Sequence, residues 1–317
     1  MKPGARPPPV TRLLRSGHGA VTTPAEHAEP MNLAALRDRL LLQEDLNFLL
    51  TNRVPRAALT RLMGWYSRID SPLLARLSVL LWRCFTDLDL SDAKHRRFRS
   101  LHAVFTRELR AGARPLDADP AVLTSPCDAI VGACGTVQRG QVWQAKGFPY
   151  RAAELFGRAD RALPYEGGHF VTLRLTSAMY HRFHAPAAAT LEHVSYLSGD
   201  TWNVNPIALK RVERLFCRNE RAVLQLRLAD GTPMALVPVA AILVASMRLH
   251  ALDVRLHLGY EGPVEMPCAQ AVAKGDELGW FEHGSTIIVF VPPGFELCVQ
   301  EGQRLRMGQA LLRRVQA

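Results

Sequence analysis

The sequence predicts an α+β protein, with N-terminal amphipathic helices followed by a mainly antiparallel β domain. Three observations carry this. Apolar residues recur at helical spacing between residues 55 and 84. Beyond residue 120, short β-branched runs alternate with glycine and proline. The chain has 317 residues and is 48% apolar, enough to bury a sizeable core.

In chain order, residues 1–30 are rich in Pro, Gly and Ala and read as a disordered basic tail. Residues 31–100 read as a helical region. Its first helix covers 31–50, with Leu33, Leu36, Leu40, Leu41 and Leu42 on or near one face. Pro55 opens the second, which carries Leu59, Leu62, Met63, Trp65 and Tyr66. Ser71 and Pro72 are an N-cap and first-turn pair for the third. Behind them Leu73, Leu74, Leu77, Leu80, Leu81 and Cys84 form an apolar stripe, with Arg76 and Arg83 elsewhere on the wheel. One such helix either packs on a soluble core or lies in a membrane interface. Three in succession with net positive charge weigh toward the interface. Residues 101–317 read as the β-rich domain, with strands at 129–134, 171–175, 223–228, 234–244 and 286–291.

Charge and cysteine content narrow the function classes. The formal net charge is +10, and residues 1–83 hold twelve basic against six acidic residues, so +6 of it falls in the first quarter. An anionic partner follows. Aromatics are only 7% and the basic residues are dispersed, which argues against nucleic acid. Six scattered cysteines include no C-x-x-C pair, so neither a metal site nor a disulfide framework is expected, and a reducing compartment is. No apolar run reaches the length of a membrane-spanning helix, and the N-terminus lacks the apolar stretch of a signal peptide.

Four segments could carry chemistry. In Gly284-Ser285-Thr286 a glycine carbonyl, open to attack, precedes a hydroxyl residue; the same tripeptide also makes an ordinary β-turn. Asp128 enters a strand after Ser125-Pro126-Cys127 and could equally cap a turn. Tyr180-His181-Arg182-Phe183-His184-Ala185-Pro186 holds two histidines three apart, but no cysteine or carboxylate stands at metal-ligand spacing from them. Residues 198–206 include Asn205 and precede Arg218-Asn219-Glu220-Arg221, which a solvated loop would also explain. Taken together they offer an acid, a base, a hydroxyl nucleophile and substrate-binding cations, in the chain order Asp, His, Ser.

This set resembles the phosphatidylserine decarboxylase family of pyruvoyl enzymes, from about residue 53 to about residue 313. The shared elements begin with Phe105-Thr106-Arg107-Glu108-Leu109, Arg114-Pro115, Ser125-Pro126-x-Asp128 and Lys146-Gly147-x-x-Tyr150. They continue through Tyr180-His181-Arg182-x-His184-x-Pro186, Gly199-Asp200, Val204-Asn205, Asn219-Glu220-Arg221 and Gly284-Ser285-Thr286. Three positions depart from the family pattern: His283 where Leu is usual, Ala129 where Gly is common, and Met179 where Asp usually stands.

The resemblance implies a proenzyme that cleaves itself at 284/285 into a large chain, 1–284, and a small chain, 285–317. It makes His184 the base and Asp128 its orienting partner, with Ser285 attacking Gly284 and ending as a covalent pyruvoyl group. That group would form a Schiff base with phosphatidylserine and release carbon dioxide and phosphatidylethanolamine, with His181 as proton donor and no metal. Tyr180, Arg182 and Asn205 are the implied substrate-binding residues. The expected setting is phosphatidylserine in an anionic membrane, on the cytoplasmic face of a bacterial cell, with residues 31–100 as the membrane-associating region. The two cleaved chains stay together, and a homodimer is compatible with the family. Rival readings are a serine esterase acting on lipids, a pyruvoyl decarboxylase of a soluble amino acid, and a non-catalytic basic binding domain. The sequence lacks a Gly-x-Ser-x-Gly elbow, which counts against the esterase.

Overall fold

A computed structural model describes residue 48 and residues 55–145, 148–243, 246–252, 254–257, 259–282 and 285–315. The expected tail at 1–30, all but one residue of the helix expected at 31–50, and residues 146–147, 283 and 284 lie outside these. The architecture is α+β: antiparallel sheets with a few short helices and an N-terminal pair of longer ones.

Helix α1 spans Arg56–Ser67, one residue beyond Pro55, and helix α2 spans Pro72–Arg83. Ser71 caps α2 by accepting from the Leu74 amide at 3.3 Å, and Pro72 fills the first turn, where no amide hydrogen is needed. The apolar stripe of α2 does not pack inward. Only Ala75 of this helix is buried, while Leu73, Leu77, Leu80 and Leu81 are more than half exposed, as are Leu62 and Trp65 of α1 and Phe85 beyond α2. The third helix, α3, is the short Leu101–Phe105, capped by Ser100.

The centre of the protein is an eight-stranded antiparallel sheet. Its fully buried strand Ser285–Val291 lies between Pro233–Ala240 and His169–Leu175. Side chains alternate across this strand. Ile287, Val289 and Val291 enter one core layer, and Ile288 and Phe290 enter the other. A four-stranded sheet built from Arg182–His184, Ser246–Leu249, Val254–His257 and Glu277–Phe281 contributes Phe183, Met247, Leu249 and Phe281 to the first layer. The strand expected over 234–244 stops at Ala240, and Leu243 then adopts a left-handed φ of 90° in the loop that follows.

Candidate active site

Ser285 opens the central strand, opposite Leu175 on one side and Ala240 on the other. By strand alternation its side chain shares the face of Ile287 and Val289, the layer lined by the four-stranded sheet. It is fully buried, and its hydroxyl has no hydrogen-bond partner among the described residues; the same holds for the Thr286 hydroxyl. Buried hydroxyls are usually paired; those of Tyr150, Thr172 and Thr201 also lack a partner among the described residues, so what sets Ser285 apart is its place at the head of the central strand. Asp128 stands at the same end of the sheet. It precedes strand Ala129–Thr136, whose Ile130 pairs with Arg174. That places Asp128 two strands from Ser285, on the order of 10 Å by sheet spacing.

The Asp128 carboxylate is held by Arg114 rather than by an imidazole. Arg114 donates Nε to Oδ1 at 2.8 Å and Nη2 to Oδ2 at 2.6 Å, and the Met307 amide donates to Oδ1 at 2.9 Å. Arg114 also reaches Asp92 at 2.9 Å. Both members of the Arg114–Asp128 pair are about nine-tenths buried, a setting in which removing one partner typically costs roughly 3–5 kcal/mol. Asp128 reaches the histidines through space, where its charge works to raise the pKa of each.

His184 is brought beside Asp128 by its backbone, since its amide donates to the Pro126 carbonyl at 2.8 Å. Its Nδ1 lies 2.9 Å from the Gly275 carbonyl, which can only accept, so that nitrogen carries the hydrogen. Nε2 therefore accepts, and the Tyr180 hydroxyl donates to it at 3.0 Å. Gly275 can present this carbonyl because its φ is +89°, and an added Cβ would meet Leu116 Cδ1 at 2.4 Å. Burial pushes the His184 pKa down, against the Gly275 hydrogen bond, and burial likewise pushes Tyr180 well above the usual phenol range.

His181 is fully buried. Its Nδ1 donates to the Met179 carbonyl at 2.8 Å, which leaves Nε2 as a bare acceptor with no partner among the described residues. Burial, with Arg107 nearby, pushes its pKa down to about 4, so the ring is neutral at physiological pH. In the ladder with Glu277–Phe281, His184 faces Glu277, while the His181 carbonyl accepts from the Phe281 amide. Of the two histidines, His181 is thus tied to the end of that strand that runs on toward Ser285.

The other sequence-derived candidates divide. Arg182 donates to the Thr106 carbonyl and, at 2.8 Å, to Glu277. Asn205 accepts from the Ala208 amide at 2.8 Å as the cap of the short helix Pro206–Leu209. Its neighbours Val204 and Ala208 pack in the layer away from Ser285. Two cavities of about 470 and 430 Å³ meet at Arg114 and Tyr180. Arg107, Arg304 and Arg306 line the first, and Arg182 and His184 line the second. Sequence reasoning gave no role to Arg114, Arg107 or Gly275; the signal available was that Arg107 and Arg114 fall within the shared motifs. Among the described residues no cluster of three or more metal-ligating side chains occurs.

Known proteins resemble this chain over most of its length. The family model described as phosphatidylserine decarboxylase matches residues 101–313. A phosphatidylserine decarboxylase proenzyme of Myxococcus xanthus is 35% identical over 267 residues, covering 81% of this chain and 94% of its own. Proteins of the same name from Brevibacillus brevis and Vibrio parahaemolyticus are 33% and 35% identical, covering 83% and 80% of this chain and 95% and 94% of their own.

Proposed function

The chain belongs to the phosphatidylserine decarboxylase family, and we propose that its precursor cuts itself between Gly284 and Ser285, converts Ser285 into a pyruvoyl group, and then decarboxylates phosphatidylserine to phosphatidylethanolamine. The observation that carries this reading is the Ser285 hydroxyl, buried without a partner among the described residues on the core face it shares with the histidine-bearing sheet. A pyruvoyl group fits the same position: it is dry, it needs no metal, and a bare imidazole nitrogen stands at the neighbouring sheet. Once formed, its carbonyl supplies an electron sink for an amine substrate.

In maturation the Ser285 Oγ attacks the Gly284 carbonyl carbon. The peptide C–N bond breaks, and the hydroxyl proton passes through the base to the departing nitrogen, giving an ester. Removal of the Ser285 Cα proton then expels the Gly284 carboxylate from Cβ. Water hydrolyses the resulting dehydroalanine end, through its imine tautomer, to a carbonyl with loss of ammonia. His184 acts as base through Nε2, its Nδ1–H anchored on Gly275, with the Tyr180 hydroxyl relaying the proton and the Asp128 charge stabilising the imidazolium. In turnover, His181 Nε2, bare at rest, takes up a proton that the substrate ammonium gives up on entering and returns it to the carbon that has lost carbon dioxide. The cavities around Tyr180, Arg107 and Arg182 are lined by arginines together with Asp87, Asp89, Asp92 and Asp128 in the first and Glu108 and Glu277 in the second, a mixture that suits a headgroup bearing charges of both signs.

One observation favours a second assignment of the imidazoles. His181 has an Nε2 with no partner among the described residues and lies on the Ser285 side of its ladder. In that version His181 takes the serine proton, and the His184–Tyr180 pair serves turnover.

The substrate is a bilayer lipid, and the exposed face of α1 and α2 supports docking at the membrane surface. Leu62, Trp65, Leu73, Leu77 and Leu81 point outward. Beside them a groove of about 630 Å³ is lined by Arg76, Arg83, Arg96 and Arg97. No helix among the described residues is long and apolar enough to cross a membrane. This supports a peripheral enzyme on the cytoplasmic face of a bacterial membrane, where each basic residue near an anionic surface adds on the order of 1 kcal/mol. Replacing both Leu77 and Leu81 by Asp should weaken binding to phosphatidylserine vesicles at least about tenfold in a flotation assay. The unfolding temperature should stay in place, because both side chains are exposed.

The functional test uses the purified protein on phosphatidylserine vesicles. Carbon dioxide and phosphatidylethanolamine should appear, and borohydride added with an amine should stop the reaction. Inhibition by a serine-directed phosphonate instead would favour a lipid esterase.

A further inference from the structure

The chain just ahead of the Gly284–Ser285 bond is anchored by a buried carboxylate that the chemistry above does not use. Glu282 is 4% exposed. Its Oε2 accepts from Arg68 Nη2 at 2.5 Å, from Arg255 Nη2 at 2.8 Å and Nε at 3.2 Å, and from the Ser246 hydroxyl. His102 Nε2 stands 3.9 Å from Oε1, and the Glu282 amide donates to the Ser246 carbonyl at 3.1 Å.

Arg68 is the residue that caps α1, and α1 is fastened twice more. At its start Arg56 grips Asp200 with bonds of 3.1 and 2.6 Å while its guanidinium lies 3.8 Å over Trp202. Midway, the Thr60 hydroxyl accepts from the Leu243 amide at 3.2 Å. The helix therefore runs across the loop at Asp200, the loop after Ala240, and the approach to the scissile bond. Ala240 is itself the sheet partner of Ser285.

The downstream side of the scissile bond is fixed by two strand neighbours, through Leu175 and Ala240. On the upstream side the strand ends at Phe281, the Glu282 amide still bonds the Ser246 carbonyl, and Glu282 is the described residue nearest the bond. Desolvation of the buried Glu282 carboxylate offsets much of its attraction to the two partly exposed arginines, so the cluster adds little net stability while it holds the carboxylate in place. Attack on a carbonyl is correspondingly sensitive to placement, and a displacement of about 1 Å can cost on the order of 100-fold.

We propose that Glu282 is a positioning residue for self-cleavage: held by Arg68, Arg255 and Ser246, it fixes the backbone two residues ahead of Gly284 so that the carbonyl there meets the Ser285 hydroxyl. It acts through the main chain and touches none of the reacting atoms. The proposal rests on the self-cleavage reading.

The test follows full-length precursor made by cell-free synthesis and chased on denaturing gels. Glu282→Gln keeps the shape and removes the charge, and it should slow cleavage at least about tenfold. Hydroxylamine should release no added fragment from it, because the slowed step precedes the ester. Glu282→Asp restores the carboxylate and should recover part of the rate. Arg68→Met should also be slow, and combining it with Glu282→Gln should add little. Arg99→Met, which breaks only the exposed Arg99–Asp70 pair at 2.8 Å, should cleave normally. Wild-type cleavage in Glu282→Gln overturns the proposal, as does a slowed variant that Glu282→Asp does not improve. If Glu282→Gln does not fold, Arg68→Met decides, since Arg68 is 37% exposed, and a wild-type rate there overturns the proposal. A wild-type precursor that stays whole, or a Ser285→Ala precursor that still splits, defeats the self-cleavage reading itself and this proposal with it.

Discussion

The Ser285→Ala chain should remain one 317-residue polypeptide and release no carbon dioxide from phosphatidylserine. The substitution deletes a single oxygen, and that oxygen serves as both the nucleophile of maturation and the leaving-group link in the elimination that follows. Without it no ester forms, the Gly284–Ser285 bond persists, and no carbonyl replaces the amine. Loss of function should come without loss of fold. The Ser285 hydroxyl makes no hydrogen bond among the described residues and sits in a fully buried strand. Replacing it by hydrogen therefore sacrifices no partner and removes an unsatisfied buried polar group, which itself carries a cost of roughly 1–3 kcal/mol. The variant should melt at or above the wild-type precursor temperature. A denaturing gel, a carbon dioxide trap and a thermal scan check the three parts. Two fragments, or residual decarboxylation, would show that Ser285 is not the precursor of the working group.

The second large effect separates the two histidines. With His184 as maturation base, His184→Ala stays whole and inactive, whereas His181→Ala splits normally and turns over about 10²–10⁴-fold more slowly, the usual loss for a missing proton donor. With the roles exchanged, the intact variant is His181→Ala. Gel and activity measured on the same preparations decide between the two, and normal splitting in both variants contradicts both. Stability needs its own control at His184, because alanine there strands the Tyr180 hydroxyl and the Gly275 carbonyl. His181→Ala loses the bond to Met179 and the edge contact of its buried ring with Phe105, so it needs the same control.

Much of the fold was legible because it rests on local chemistry. Ser71 and Pro72 announce the start of α2 through capping and a dispensable amide. The central strand reads as the unbroken apolar run Ile287–Val291 because both its faces are buried. The hairpin Gln141–Ala145 with Phe148–Arg151 and the four-residue helices Ala159–Ala162, Pro206–Leu209 and Leu215–Arg218 were not, since they are too short for periodicity to register. The stripe of α2 was legible as a stripe but not as to its direction. An apolar face reads the same whether core or bilayer covers it, and only the exposure of Leu73, Leu77 and Leu81 separates the two.

In the site, residue types were legible and partners were not. The sequence pairs Asp128 with a histidine, yet in the structure an arginine 14 residues earlier holds its carboxylate. The tautomer of His184 is set by a carbonyl 91 residues further on. Glu282 belongs to none of the motifs, and the fold brings Arg68, 214 residues earlier, to it. Such pairings are fixed by sheet order and register, which no local pattern in the chain encodes.

The most direct measurement of the central claim is the intact mass of the purified protein under denaturing conditions. Two chains divided between Gly284 and Ser285 are predicted, the smaller lighter than its encoded 285–317 sequence by the difference between serine and a terminal pyruvoyl group, and shifted further by borohydride. A single chain of the full encoded mass, or a small chain that begins with an unmodified serine, would contradict it.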